Sequence, residues 1–426
     1  MLSSHQNAMT GFANQRLKTL GLLGSLYVSQ YIPLTFIYEA LPAFAREQGM
    51  SLEVIGLLPL VALPTIFKFL WAPAIDRYGF TRWGHYRFWI ISFQLLAIAS
   101  VVIAGKLDLE GNFLLLLVAM FALCLWCASQ DIATDALAVA VLEPQERGWG
   151  NGVQMSGNYF GAVIGGGGML ILLDWWGWRS SMLVLAALML FALLPILNFR
   201  ESRCQKPDTS QFVLLDLVRF CRRPQMWRWL VVLALFTAGL MMANTMFRPL
   251  LVDIELSMTD IGLLLGVASY GAGIVGAIAA GFLISRLGRR RSLLVFSSLR
   301  AICVAAYLLP ALGATTLPVL YAIAMSSQFT NSMAITALFT LMMDKSELTT
   351  AGTDFTLQTS LVYLGGILAA PFSGLAAKGF EYEGSFLLAI ALSIGSVVAI
   401  AGLVEKGHIH PNPPLATLSQ QIFPKK

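Results

Sequence analysis

Two carboxylates inside a lipid-length apolar run are the residues of this chain best placed to do chemistry. Asp131 and Asp135 lie in CLWCASQDIATDALAVAV, residues 124–141. An ionised Asp at a bilayer centre costs about 2.5–3.5 kcal/mol on insertion scales, so two in one segment need a reason. Four residues apart on a helix, they project from nearly one face. That face must look into protein or a water-filled cavity. Such clusters line paths for protons, ions or solutes. Lys68 sits at matching depth in another apolar run and can pair with Asp131. Lys68, Asp131 and Asp135 are therefore the candidate coupling residues, with a plain bridge between two helices as the competing use of the pair.

Other residues extend the set. Glu39 and Arg248 lie near the outer ends of the first and seventh apolar runs, where they can close an outer gate or simply reach the interface. The polar and aromatic residues Gln30, Tyr31, Trp126, Gln130, Asn158, Tyr159, Asn244, Gln328, Asn331 and Gln358 are the expected substrate-binding set, and the rings can stack on a flat ligand. Cys124 and Cys127 share the Asp131/Asp135 face, but packing cysteines are the simpler reading. No apolar run contains a histidine, so no metal site and no cofactor are expected. GGGG at 165–168 lets its helix approach a neighbour closely. It is no phosphate loop, because no Lys-Ser/Thr follows.

The elements that must position these residues are membrane helices. The chain is 57% hydrophobic and 12% charged, against about 25% charged in ordinary globular proteins. Bilayer-length runs recur about twelve times, at 19–41, 52–74, 87–105, 113–142, 149–173, 178–198, 227–252, 260–284, 292–312, 316–343, 354–376 and 384–404. The first is too long for a signal-peptide core and is expected to remain as a span. The expected organisation is a cytoplasmic N-terminus (1–18), a six-helix bundle (19–198), a cytoplasmic linker (199–226), a second six-helix bundle (227–404) and a cytoplasmic tail (405–426). An amphipathic piece of the linker, Phe212–Phe220, is expected to lie along the membrane surface. With both termini inside, inner segments hold 21 Lys and Arg and outer loops hold 4. The net charge of +5 is thus a topology signal and calls for no nucleic-acid partner. The cysteines give no disulfide framework, with Cys204 and Cys221 in a reducing compartment.

The halves repeat each other. IGLL opens the second run at Ile55 and the eighth at Ile261, and those runs end in DRYG (Asp76–Gly79) and SRLG (Ser285–Gly288). Ser129-Gln130 matches Ser327-Gln328, and Gln154 matches Gln358. The loops AIDRYGFTRWGHYR (74–87) and GFLISRLGRRR (281–291) resemble G-x-x-x-D-R-x-G-R-R, the loop between helices two and three of the major facilitator superfamily. The first copy has Ala72 for the leading Gly and Phe80-Thr81 for the basic pair. The resemblance implies an all-α membrane protein, with twelve helices in two pseudo-symmetric bundles and a site between them. It also implies a gating set at the inner ends: Asp76, Arg77, Glu143, Glu146, Arg147 and Arg286.

SQDIATDALAVAVLEPQERGWGNG (129–152), with its Gln-Asp pair and E-x-x-E-R-G exit, resembles one branch of that superfamily. The branch holds muropeptide permeases, acetyl-CoA transporters and siderophore-linked permeases. Length, short tails and QYIPLTFIYEALPAFAREQG (30–49) are similar to the siderophore-linked group of the rhizobactin, pyochelin and yersiniabactin type. What this implies is a monomeric, proton-coupled, alternating-access transporter of a bacterial inner membrane. Its cargo would be a metal–siderophore (yersiniabactin-like) chelate, or the iron or zinc it delivers. The alternatives are a permease for muropeptide or another bulky metabolite, and a membrane sensor that binds siderophore without moving it. An enzyme is not expected, since no nucleophile–base pair or catalytic metal set appears.

Overall fold

The computed structural model describes residues 2–49, 58–79, 82–107, 111, 113–201 and 215–404. The expected tail 405–426 with His408 and His410, residues 202–214 of the linker with Cys204, residues 52–57 of the second span, and Phe80-Thr81 lie outside the described residues.

Among the described residues eight helices are long and apolar enough to cross a membrane. Two of these, Pro144–Asn198 and Leu348–Leu403, have 55 and 56 residues and are each broken once, at Gly177 (φ 71°) and at Phe380–Glu381 (Glu381 φ 58°). Unbroken, each would be about 80 Å long against a bilayer core of about 30 Å, so each is two crossings joined by a tight turn. The shorter Leu60–Leu70 and the 29-residue Leu317–Lys345 complete the expected twelve. In chain order they are α1 (Arg16–Glu47), α2 (Leu60–Leu70), α3 (Tyr86–Ala104), α4 (Phe113–Val141), α5 (147–176), α6 (178–198), α7 (Met226–Asp253), α8 (Asp260–Leu287), α9 (Arg289–Ala311), α10 (Leu317–Lys345), α11 (351–379) and α12 (382–403).

Local sequence explains the irregular helices. Pro33 withholds a backbone N–H inside α1, and the helix continues through a π turn, Phe36–Ala40, that carries Glu39. In α2, Pro64 opens the piece Leu63–Phe67 and a 3₁₀ turn Lys68–Leu70 follows; beyond α2, Pro73 opens the short helix Ala72–Arg77. Lys68 therefore sits at a change of helical pitch.

Glycines set the contact of α5 with α1. A Cβ at Gly165 would collide with the carbonyl oxygen of Ile32, and one at Gly161 would sit 2.8 Å from the carbonyl oxygen of Val28. The glycine run is the close-approach surface expected of it, and α1 is the neighbour.

The core has a division that matters for function. One apolar cluster holds residues from both halves, among them Leu23, Tyr27, Ile132 and Leu137 with Phe236, Leu338, Phe339 and Phe355. It lies toward the end where Arg77, Arg147 and Arg289 gather, here called the basic end. Toward the far end each half has a core of its own, around Phe36, Met120 and Leu185 in one and Phe247, Leu320 and Phe386 in the other. The halves share one apolar core at the basic end; at the far end each has its own core, and the Glu39–Tyr270 hydrogen bond crosses between them.

Candidate functional site

The expected carboxylate set is assembled. Lys68 Nζ donates to Asp131 Oδ2. The Lys68 side chain is 5% exposed and that of Asp131 28%, so Asp131 is the open member of the pair. Asp135, one turn further toward the basic end, is fully buried. Its Oδ1 accepts from Tyr27 Oη at 2.9 Å and from Gln154 Nε2 at 3.1 Å. Tyr363 of α11 lies within electrostatic range of both carboxylates and near Tyr31 of α1. The set thus faces the opposite half. A carboxylate open on one side, neutralised by a lysine, with a second carboxylate one turn deeper, can take up a proton and hand it on.

The expected substrate-binding residues divide. Tyr31, Tyr159 and Asn331 lie where the halves meet, and Asn244 and Gln328 line a cavity within the second half. Tyr159 of α5 lies beside Asn331 and Ser332 of α10, and the Tyr159 and Tyr270 rings stack at 6.0 Å. Asn244 and Gln328 line one cavity with Arg248 and Tyr270. Gln130 is fully buried, and neither amide atom has a partner among the described residues. Asn158 is buried on α5. Three residues are otherwise engaged. Gln30 Nε2 donates to Thr134 Oγ1 at 2.8 Å, tying α1 to α4. Trp126 stacks on Phe93 at 6.1 Å in a column with Trp89, between α3 and α4. Gln358 accepts from Trp229 Nε1 at 2.7 Å and donates to the Met342 and Asp354 carbonyls, so it is a brace at the basic end. Sequence types alone could not separate these uses, since a buried amide braces or binds depending on its neighbours.

At the far end Glu39 and Arg248 form no ion pair among the described residues. Glu39 Oε1 instead accepts from Tyr270 Oη of α8 at 2.6 Å, and Tyr270 also lies in the field of Arg248. A π turn aims Glu39 at α5, where only a glycine, Gly166, leaves room for its carboxylate. The expected two-charge gate is, in this state, a carboxylate–tyrosine bond across the halves.

Contacts between the halves gather at the basic end. Asp76 accepts from the N–H groups of Gly352 (3.0 Å) and Thr353 (2.7 Å), from Thr353 Oγ1 (2.7 Å) and from Tyr86 Oη (2.9 Å). The first three belong to the start of α11, where a helix N-terminus favours an anion. Arg147 of α5 donates to Asp344 of α10 at 2.9 Å. Arg289 also binds Asp344 and reaches the Pro144 carbonyl across the halves. Other expected gate residues act locally. Arg77 pairs with Asp216 of the short helix Leu215–Arg222, at 2.7 Å. In that helix, over the described part of the expected surface piece Phe212–Phe220, Phe220 is buried against the bundle while Leu215 and Val218 are exposed. At its end Arg223 pairs with Asp354 at 2.8 Å. Glu143 and Glu146 form a capping box, and Glu146 pairs with Arg16 at 3.0 Å. Arg286 is exposed and lies over the Phe282 ring, so Arg289 and not Arg286 carries the latch in this copy of the loop.

Comparison with known proteins agrees with this architecture. The chain is 27% identical over 375 residues to an anhydromuropeptide permease of Escherichia coli K12, covering 87% of this chain and 76% of that one. It is 20% identical to the AmpG 4 transporter of Rickettsia felis, covering 93% and 99%. Among solved structures, FucP superposes with a TM-score of 0.70 at 16% identity, over 91% of this chain and 99% of that one. A bacterial homologue of the iron transporter ferroportin gives 0.67 at 17%, over 91% and 98%. Those two sequence relatives are named as an anhydromuropeptide permease and an AmpG transporter, not as members of the siderophore-linked group that the sequence motifs resemble. A family profile matches residues 23–370, and the chain belongs to the Major Facilitator Superfamily.

Proposed function

We propose that this chain is a proton-coupled permease that alternates its cavity between the two sides of a bacterial inner membrane, with the basic end cytoplasmic. The carrying observation is the Lys68–Asp131–Asp135 set, with Asp131 partly exposed and Tyr363 of the other half within electrostatic range. The shared core and the Asp76 and Arg147 contacts support reading the basic side as closed in this state, while the Glu39–Tyr270 bond is the contact to be broken at the far end. Inward opening then requires the Asp76 and Arg147 contacts to break.

The relatives support muropeptide, or another bulky anionic metabolite, as the substrate class. At 27% identity the substrate can still differ. A second reading, a metal–siderophore chelate or the metal it delivers, is favoured by the tyrosines gathered between the halves. Tyr31, Tyr159, Tyr270 and Tyr363 offer flat faces to a ring-bearing ligand.

Proteoliposomes with an imposed proton gradient test both levels. Labelled anhydromuropeptide and doubly labelled metal–siderophore chelate are supplied side by side. Accumulation of one identifies the cargo. Asp131→Asn and Asp135→Asn should each cut gradient-driven accumulation by roughly tenfold or more, equivalent to about 1.4 kcal/mol of lost coupling, while exchange without a gradient persists. Wild-type accumulation in both single variants and in the double would overturn proton coupling through this set.

A further inference from the structure

A cavity in the second half has a chemistry that the proton-coupling set does not use. It is lined by Asn244, Phe247 and Arg248 of α7, Ser269 and Tyr270 of α8, and Gln328 of α10, and its volume is about 180 Å³. Arg248 is the cation in it. Among the described residues Arg248 has no carboxylate partner, because Glu39 is taken by Tyr270. The Asn244 carbonyl accepts from Tyr307 Oη at 2.8 Å, which leaves its NH2 as the outstanding donor. Gln328 has no hydrogen bond among the described residues. Ser269 spends its hydroxyl on the Leu264 carbonyl. What remains is one guanidinium and two amide donors, beside the apolar face of Phe247.

We infer that this cavity is a carboxylate subsite, which takes one acidic, ring-bearing arm of a larger substrate. A guanidinium forks onto the two oxygens of a carboxylate, and amide donors complete its hydrogen bonding. A cavity of about 180 Å³ cannot hold a whole muropeptide or chelate, so only an arm enters. The inference deepens the permease reading and rests on it only for the identity of the larger substrate.

The test uses the full chain in detergent and benzoate as the probe, with benzamide as its uncharged isostere. Phenylglyoxal modifies accessible arginines, and peptide mapping reads Arg248 separately. At four times its Kd, benzoate should slow modification of Arg248 about fivefold, because the unoccupied fraction falls as 1/(1 + [L]/Kd). Benzamide should leave the rate unchanged. Arg286, exposed and outside the cavity, should react equally with and without benzoate. Asn244→Leu and Gln328→Leu should each weaken the protection by benzoate. Protection by neither probe, equal protection by both, or an Arg248 inert without any probe would overturn the subsite. Intact protection without gradient-driven uptake of either labelled substrate would instead overturn the permease reading and leave the subsite standing.

Discussion

Lys68 and Asp131 are each tolerable in an apolar bundle only because of the other. Lys68 is buried and its partner is largely so. Removing one member of such a pair leaves an uncompensated charge, at about 3–5 kcal/mol, whereas removing both is far milder. Lys68→Met should therefore lower the thermal midpoint in detergent sharply, and Lys68→Met with Asp131→Asn should restore most of it. A double variant no more stable than Lys68→Met would show that the two act independently. This pair was legible in the sequence, because equal depth in two apolar runs is a one-dimensional quantity. The partners of Asp135 were not. Tyr27 is 108 residues away and Gln154 is 19, and no periodicity links such positions. The same holds for Glu39 and Tyr270, 231 residues apart, where charge complementarity pointed to Arg248 instead.

Among the elements, the α1–α5 contact gives a sharp contrast between neighbouring glycines. Gly165 faces the Ile32 carbonyl, a backbone atom that cannot swing aside, while a Cβ at Gly167 would meet nothing within 4 Å. Gly165→Ala should separate α1 from α5 and yield aggregated protein in size-exclusion chromatography. Gly167→Ala should remain monodisperse and within about 1 kcal/mol of the parent, or gain stability, since Ala suits a helix better than Gly. Equal behaviour of the two would refute the close-approach role. Helix number and bounds were readable because hydrophobic length is set by the bilayer. The breaks inside helices were readable only in part. The turn at Phe380–Glu381 falls in the gap between the expected runs 354–376 and 384–404, whereas the π turn Phe36–Ala40 and the 3₁₀ turn Lys68–Leu70 lie inside expected runs, where no break was expected.

For the molecule as a whole, the basic-end latch makes the balance between states sensitive to pH. Asp76 lies beyond the α2 crossing, at the foot of the first half. Burial raises its pKa to about 6, against the opposing pull of its hydrogen bonds from Thr353, Tyr86 and Gly352. Exposed to water after the latch opens, it would titrate near about 3.9. The latched state therefore binds the proton more tightly, and between about pH 4 and 6 latching takes up a proton. Acidification through that window should favour the latched form, and raising the pH above about 6 should remove the bias. Nearby His85 is pushed down to about 4 by burial, so it stays neutral through most of the window. Spin labels at the exposed Gln145 and Ser285, read by pulsed dipolar distances, should show the short-distance population growing as pH falls from 7 to 5. The bias should vanish in Asp76→Asn. A pH-independent distribution in the parent would remove Asp76 from this role. The latch was half legible, since the loop motif named Asp76. Its receiving end, the N–H groups of Gly352 and Thr353, is backbone and leaves no trace in residue type.

The short helix Leu215–Arg222 also has a mechanical meaning. Asp216 is tied to Arg77 of the first half, and Arg223, seven residues on, is tied to Asp354 of the second. At 1.5 Å per residue that spacing is only about 10 Å of helix. Any rocking that parts the two anchors by more than this must snap one knot before the other. The connection then behaves as a fuse whose weaker joint fails first. Arg223 is the more water-accessible of the two arginines, 23% against 3%, and water competes for its bond. Because Arg223 also binds Glu347 and the Lys345 carbonyl, parting the halves at the basic end must break either that set or the Arg77–Asp216 pair before the linker can follow one body.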